Sequence, residues 1–326
     1  MVKPLVFATA PLPDALRTEL ESTCRLRLWD AADPPTQPQL RESLTDCAGL
    51  LCTLNERVDA MLLAASPDLR VISTCSVGVD HIDMEAVSAR GIPVGHTPRV
   101  LTDATADLTL ALLLACARRI PEADRYVRSG NWSQTPGWDP TRLVGRDLRD
   151  TTLGLIGLGP IGQAVARRAA GFGLHVIGWT PSVRAVAEVE STDFDTLVRT
   201  ADILSLHIAL APQTRHLINA DVLARMRPGA LLINTARGPL VDEPALVEAL
   251  ASGHLGGAGL DVFDPEPAAT AHPLFDLPNV VLAPHIGSAT TGTRARMAQL
   301  AASNLLLGLQ GQPMRYCANP YVEAKR

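Results

Sequence analysis

Three side chains in the second half of this 326-residue chain are of types that together can handle a carbonyl next to a carboxylate: Arg237, Glu266 and His285. Each follows a short apolar run. Leu231-Leu232-Ile233-Asn234 leads to Thr235-Ala236-Arg237-Gly238, Leu260-Asp261-Val262-Phe263 leads to Asp264-Pro265-Glu266-Pro267, and Val281-Leu282-Ala283 leads to Pro284-His285-Ile286-Gly287-Ser288. In open α/β sheets ligands bind at the carboxyl ends of strands, so the three could converge on one crevice. The planar guanidinium of Arg237 can fork onto a carboxylate and a carbonyl oxygen as a lysine cannot. His285 is the natural proton donor, because an unperturbed imidazole titrates near pH 6.5. A buried Glu266 carboxylate beside it would favour imidazolium and keep it protonated for reduction. The neutral ring would accept the proton in the reverse direction.

Reduction also needs a source of hydride, and an earlier stretch supplies the place for one. Leu153-Gly154-Leu155-Ile156 runs as an apolar strand into Gly157-Leu158-Gly159-Pro160-Ile161-Gly162, and a run of helix formers follows from Gln163. Gly-x-Gly-x-x-Gly at a strand-to-helix turn has a mechanism. Gly157 permits the tight turn, Gly159 lets the backbone approach a pyrophosphate, and Gly162 lets helix and strand pack closely, with the phosphates at the helix N-terminus. The loop anchors a dinucleotide; the chemistry lies on later strands.

The choice between NAD and NADP is read after the next strand, at His175-Val176-Ile177-Gly178-Trp179-Thr180-Pro181-Ser182-Val183-Arg184. NAD sites of this kind usually carry an acid about 20 residues past the glycines to hold the ribose 2′-hydroxyl. Thr180 stands there, and no acid occurs before Glu188. Thr180, Ser182 and Arg184 can instead hydrogen-bond and neutralise a 2′-phosphate, which favours NADP. A neutral site can still accept NAD.

Composition bounds the alternatives. A 47% hydrophobic share and a length sufficient for two cores describe an ordered globular chain. The net charge of −5 is spread without a basic stripe or an acidic tail, which argues against nucleic acid or an anionic membrane as partner. Cys24, Cys47, Cys52, Cys75, Cys116 and Cys317 are scattered among apolar neighbours, as reduced buried thiols of a cytoplasmic protein would be. The apolar run at the start of the chain is too short for a signal segment and is interrupted by Pro4, so it reads as a first β-strand. The apolar run 108–117 is about half of a membrane span. No metal site is indicated: His81 and Asp83 fit a turn with a helix cap.

Taken in order, Leu5–Ala8, 49–53, 71–75 and 92–95 are strand-like, with helical spacing over 14–22, 37–47 and 59–65, so residues 1–99 form a small α/β domain with a parallel sheet. A long helix is predicted over 101–120, with Thr102 and Asp103 as cap candidates and Pro121 as its end, then a shorter helix over 122–129 and an ordered loop over 131–147. Thr152–Ile156, 174–179, Ile203–Leu206, 230–234, Gly257–Leu260 and 280–283 make six strands with helices between them, including 220–226 and 243–252. That alternation is the pattern of a doubly wound, Rossmann dinucleotide domain over 100–288. A last helix over 293–309 could return to the first domain.

At these motifs the chain resembles the D-isomer-specific 2-hydroxyacid dehydrogenase family. The resemblance extends through Val71-Ile72-Ser73-Thr74-Cys75-Ser76-Val77-Gly78-Val79-Asp80 and the residues already quoted, and is strongest toward glyoxylate/hydroxypyruvate reductases. It implies that Arg237, Glu266 and His285 are catalytic, that backbone amides at Val77 and Gly78 receive the substrate carboxylate, and that Ser288 lies near the substrate oxygen. It further implies cofactor contacts from Thr105, Pro160, Ile161, His207 and Asp261. A flavodoxin-like substrate domain of 1–99 plus 289–326, hinged to the cofactor domain, and a homodimer are also implied.

The resemblance leaves the substrate open. Glyoxylate or hydroxypyruvate is the first expectation, and 2-ketogluconate or hydroxyphenylpyruvate the alternative. Arg142, in a loop more aromatic in animal glyoxylate reductases, could favour a longer or doubly charged acid, or could be a solvated loop residue. Family-like co-repressors that sense dinucleotide belong to another class, but they need a peptide-binding groove or disordered tails, and the catalytic set is intact here.

Overall fold

The computed structural model describes residues 2–135, 137–181 and 186–323, which divide into two compact units, Met1–Leu101 with Ala289–Arg326 and Thr102–Ser288. Each is an α/β unit around its own parallel sheet.

The first unit has five strands: β1 (Leu5–Ala8), β2 (Arg25–Leu28), β3 (Gly49–Cys52), β4 (Val71–Thr74) and β5 (Val94–Gly95). They lie in the order β2-β1-β3-β4-β5, all parallel. Successive residues feed opposite cores: Phe7 and Leu50 join one apolar cluster, while Val6, Ala8 and Leu51 join the other. Both faces are therefore covered, as a parallel sheet requires. β2 is not among the strands expected from sequence, because its Arg-Leu-Arg-Leu alternation is that of an edge strand. Arg27 there reaches Asp46 at 2.7 Å and the carbonyl of Ser43.

The C-terminal segment completes this unit. Helix Thr291–Leu309 lays Ala301, Ala302 and Leu305 against Val6 and Val71, and Ser73 Oγ donates to the carbonyl of Ala301 at 2.7 Å. Asn319, buried, accepts from the N–H of Val94 and donates to the carbonyl of Ile92. Asp83 caps helix Met84–Ala89 by accepting from the N–H of Ala86 at 2.9 Å. The cap is the one expected from sequence, and the short helix after it is an addition.

The second unit contains β6 (Thr152–Ile156), β7 (His175–Trp179), β8 (Glu190–Ser191), β9 (Ile203–Leu206), β10 (Leu231–Asn234), β11 (Gly257–Leu260) and β12 (Val280–Leu282). Their order is β12-β11-β10-β9-β6-β7-β8, all parallel, which is the doubly wound Rossmann arrangement with one strand beyond the six expected. The extra strand, β8, is two exposed residues at the sheet edge. Along β10, Leu231 and Ile233 face one core and Leu232 the other. Helix Thr102–Ala117 covers the face over β10 and β11, and a Cβ added at Gly259 would lie 3.0 Å from Leu112. The helix stops before Pro121: Arg119 takes a left-handed φ of 52°, and a new helix, Ile120–Arg128, starts with Pro121 in its first turn. Proline suits that position because its missing N–H is not needed there.

Candidate active site

The exits of β10, β11 and β12 are neighbours in the sheet, which places the turns bearing Arg237, Glu266 and His285 side by side. The Asn234 side chain shapes the first turn. Its Oδ1 accepts from the N–H of Ala236 at 3.0 Å and its Nδ2 donates to the carbonyl of Arg237 at 2.8 Å. Arg237 is half-buried, with Nη1 donating to the carbonyl of Ala236 at 2.9 Å. At Gly238 an added Cβ would lie 1.9 Å from the carbonyl oxygen of Phe263, so this turn presses directly on the loop after β11. Only glycine permits that approach.

In that loop Glu266 divides its carboxylate between two partners. Oε1 accepts from the N–H of Phe263 at 3.0 Å, and Oε2 lies 2.7 Å from Nδ1 of His285. A carboxylate oxygen can only accept, so Nδ1 carries the proton of this bond and Nε2 is left for exchange with a ligand. Both side chains are 27% exposed, so Glu266 is not the buried partner anticipated from sequence. The reason is its place between two prolines in a surface loop, with Pro265 and Pro267 both exposed.

Asp261 fixes the turn on the other side of His285. Its carbonyl accepts the His285 N–H at 2.8 Å, and its two carboxylate oxygens accept from the N–H groups of Ile286 and Gly287 at 2.7 Å each. That clamp holds His285 at a left-handed φ of 53°, a conformation a non-glycine residue keeps only when its surroundings demand it. Burial pushes the Asp261 carboxyl above its ordinary range, although the two backbone donors oppose the shift. Thr105 Oγ1 donates to the carbonyl of Gly287 at 3.1 Å, and half-buried Ser288 follows.

The glycine loop stands at the topological switch point, where β6 separates β7 on one side from β9 on the other. Gly157 has φ +100° and an added Cβ there would lie 2.4 Å from the carbonyl oxygen of His207; one at Gly162 would lie 2.1 Å from that of Gly157. A Cβ at Gly159 would meet nothing within 4 Å. Two glycines thus serve packing, and the third leaves the backbone open to a ligand. Gly159 caps helix Pro160–Ala170 without a side-chain hydrogen bond, so the first N–H groups of that helix can receive an anion. Pro160 and Ile161 form its first turn. These features fit a dinucleotide pyrophosphate.

His207 leaves β9 beside this loop. Its Nε2 is 2.9 Å from Ser205 Oγ, and desolvation pushes its imidazole down to about 3, so the ring is neutral at physiological pH. Thr180 follows β7 directly and is half-buried. Ser182 and Arg184 lie outside the described residues.

Val77 and Gly78 belong to the first unit, just past β4. Ser76 Oγ donates to the carbonyl of Gly78 at 2.7 Å, and His96 Nδ1 lies 3.0 Å from the carbonyl of Val77. Arg142 is not a solvated loop residue. Its guanidinium stands 5.6 Å over the Tyr126 ring and 4.0 Å from Asp139.

Two supports of the set are not among the residues expected from sequence. One is Asn234, whose signal is an Asx-type turn before Arg237. The other is the buried pair of Glu243 and His272, 2.9 Å apart, behind the Glu266 loop. Among the described residues no cluster of potential ligands could hold a metal ion.

Residues 110–287 match the family model described as D-isomer specific 2-hydroxyacid dehydrogenase, NAD binding domain. A glyoxylate reductase of Thermofilum pendens is 45% identical over 318 residues, covering 96% of this chain and 93% of that one. A glyoxylate reductase/hydroxypyruvate reductase of Mus musculus is 44% identical, covering 95% and 96%. Among solved structures, an NADPH-dependent glyoxylate/hydroxypyruvate reductase of Sinorhizobium meliloti, in complex with NADP and malonate, superposes with a TM-score of 0.86 at 32% identity, covering 97% of each chain. With these likenesses over nearly its whole length, the chain belongs to the D-isomer-specific 2-hydroxyacid dehydrogenases.

Proposed function

We propose that this oxidoreductase reduces glyoxylate and hydroxypyruvate to glycolate and D-glycerate, using NADPH in preference to NADH. The observation that carries the reading is the 2.7 Å contact of His285 with Glu266 at a strand exit in the same sheet as the glycine loop. When bound, the nicotinamide supplies a hydride. Arg237 holds the substrate carboxylate and carbonyl oxygen, which polarises the carbonyl. His285 delivers a proton from Nε2 to that oxygen, while Glu266 balances the imidazolium. In the oxidative direction the neutral ring takes the hydroxyl proton. Backbone amides at Val77 and Gly78 are assigned to the carboxylate and Ser288 to the substrate oxygen. Gly157, Gly159, Pro160, Ile161 and Gly162 are assigned to the pyrophosphate region. Thr105, His207 and Asp261 complete the cofactor set.

The NADPH preference rests on Thr180, a neutral residue where an acid would repel a 2′-phosphate, and the Sinorhizobium meliloti relative is named NADPH-dependent. A homodimer of cofactor-domain contacts is supported by the exposed Ile120, Val127, Trp132, Trp138 and Val144, an unusual concentration of apolar surface in one segment. All six cysteines are free, in keeping with a reducing, cytoplasmic setting. Among the described residues no helix is long and apolar enough to cross a membrane.

The test is a panel of 2-keto acids, including 2-ketogluconate and hydroxyphenylpyruvate, against NADPH and NADH. Fastest turnover of glyoxylate and hydroxypyruvate with NADPH is expected. Failure to reduce any small 2-keto acid would overturn the reading, and a clear preference for the larger acids would replace the substrate.

A further inference from the structure

The loop that carries Glu266 is gripped from behind by a second carboxylate–imidazole pair. Glu243 opens helix Glu243–Ala251 and is 7% exposed. Its Oε1 accepts from the backbone N–H of Asp264 at 2.8 Å, and its Oε2 lies 2.9 Å from Nε2 of His272. Leu274 donates its N–H to Nδ1 of His272 at 3.3 Å, so that nitrogen is the acceptor and Nε2 carries the proton toward Glu243. Phe263 and Phe275 flank the His272 ring, at centroid distances of 6.3 and 5.6 Å. The pair is thus flanked by two aromatic rings and satisfied at every polar atom named.

From this pair a short path leads to the proton-handling residues. Glu243 fixes the N–H of Asp264. The preceding residue, Phe263, donates to Glu266 Oε1 at 3.0 Å, and Glu266 Oε2 meets His285 at 2.7 Å. On its outer side the Asp264 carboxylate is taken by Arg215 at 2.9 Å. Burial pushes the Glu243 carboxyl upward, so a charge at this position is costly to keep. An apolar residue would avoid that cost but could not hold the Asp264 amide.

We propose that Glu243, braced by His272, is a positioning residue that fixes the Phe263–Asp264 backbone and thereby aims Glu266 at His285. The proposal rests on the assignment of Glu266 and His285 as the proton-handling pair.

Glu243→Ala tests it, with fold checked by circular dichroism and by NADPH affinity. We expect kcat for glyoxylate to fall about 100-fold, the scale of a misplaced catalytic group, with KM changed by less than about threefold. The pH profile of kcat should also be displaced, which a loss of folded protein alone would not do. A readout independent of turnover is the downfield proton resonance of the Glu266–His285 bond, identified by its loss in Glu266→Gln. It should shift or broaden in Glu243→Ala. Should that variant not fold, His272→Leu, which removes the brace and keeps Glu243, is read in the same way. A folded variant with the wild-type pH profile and an unchanged resonance overturns the proposal, whatever its rate. Should wild-type protein reduce no 2-keto acid, the functional reading falls and the resonance alone decides whether Glu243 aims Glu266.

Discussion

His285 and Glu266 stand 2.7 Å apart across nineteen residues of sequence, joined because β11 and β12 are adjacent and parallel and each residue lies just past its strand. The contact binds Nδ1 to protein and so leaves Nε2 for the substrate of the proposed reaction. His285→Ala should lower kcat for glyoxylate reduction by about 1000-fold, within the usual range for general acid catalysis. Glu266→Gln should cost less and do something different. It keeps an acceptor for the Phe263 N–H but removes the negative charge that favours imidazolium. In the proposed reduction the protonated ring is the donor, so loss of the neighbouring negative charge should move the fall of kcat with rising pH to lower pH in Glu266→Gln. Steady-state rates from pH 5 to 9 in both directions check this; an unmoved profile would exclude Glu266 as the charge partner.

Much of this arrangement is legible in the sequence because strand exits are. Apolar runs ending in Asn234, Leu260 and Leu282 mark strands, and parallel α/β order puts the loops at their carboxyl ends on one side of a sheet. The remaining features need the third dimension. The strand Arg25–Leu28 alternates charge and leucine because only one face is covered, and it offers no apolar run to find. Glu243 looks like an ordinary first-turn acid, and only the packing of His272 behind it reveals a buried pair. The helix breaks at Arg119 and not, as the sequence suggests, at Pro121, because a proline within the first turn of a helix starts it rather than ending the one before.

The proposed preference for NADPH can be tested at one position. Thr180 follows β7 without a charge, so Thr180→Asp should set a carboxylate against a 2′-phosphate while offering an acceptor to a 2′-hydroxyl. We expect at least about a tenfold rise in KM for NADPH, equivalent to about 1.4 kcal/mol, with KM for NADH unchanged or lower. Equal losses with both cofactors would mean that Thr180 does not face the adenosine ribose.

Acid stability should report His207. Its imidazole falls to about 3 in the folded chain, against about 6.5 unfolded, so between these values the unfolded chain binds the extra proton. The stability this neutral ring allows is fully present above about pH 6.5 and is lost as pH falls toward 3. Part of the residue's surface remains exposed, so the full shift is discounted, and a loss of about 2 kcal/mol between pH 7 and 4.5 is expected from this group. Asp261 and Glu243 act in the opposite sense, because carboxyls raised on folding favour the native state as pH falls through their window. The difference between wild type and His207→Gln isolates the histidine. Urea unfolding at the two pH values should show a shallower acid loss in the variant, and parallel losses would refute the assignment.

The glycine loop separates packing from binding, and two substitutions can tell them apart. In Gly157→Ala the new methyl would lie 2.4 Å from the carbonyl oxygen of His207 on a backbone at φ +100°. Both strain and collision oppose it, so a stability loss of about 1–3 kcal/mol or more is expected even without ligand. Gly159→Ala meets neither obstacle. Its φ is −70° and no atom lies within 4 Å of the added carbon, so unfolding without ligand should change by less than about 0.5 kcal/mol. Yet that open space is what a pyrophosphate would need, and NADPH affinity should drop about tenfold or more. Calorimetric unfolding without ligand and fluorescence titration with NADPH measure the two effects separately. A Gly159→Ala protein that bound NADPH as the wild type does would remove this loop from the cofactor site, however well its glycines match the pattern.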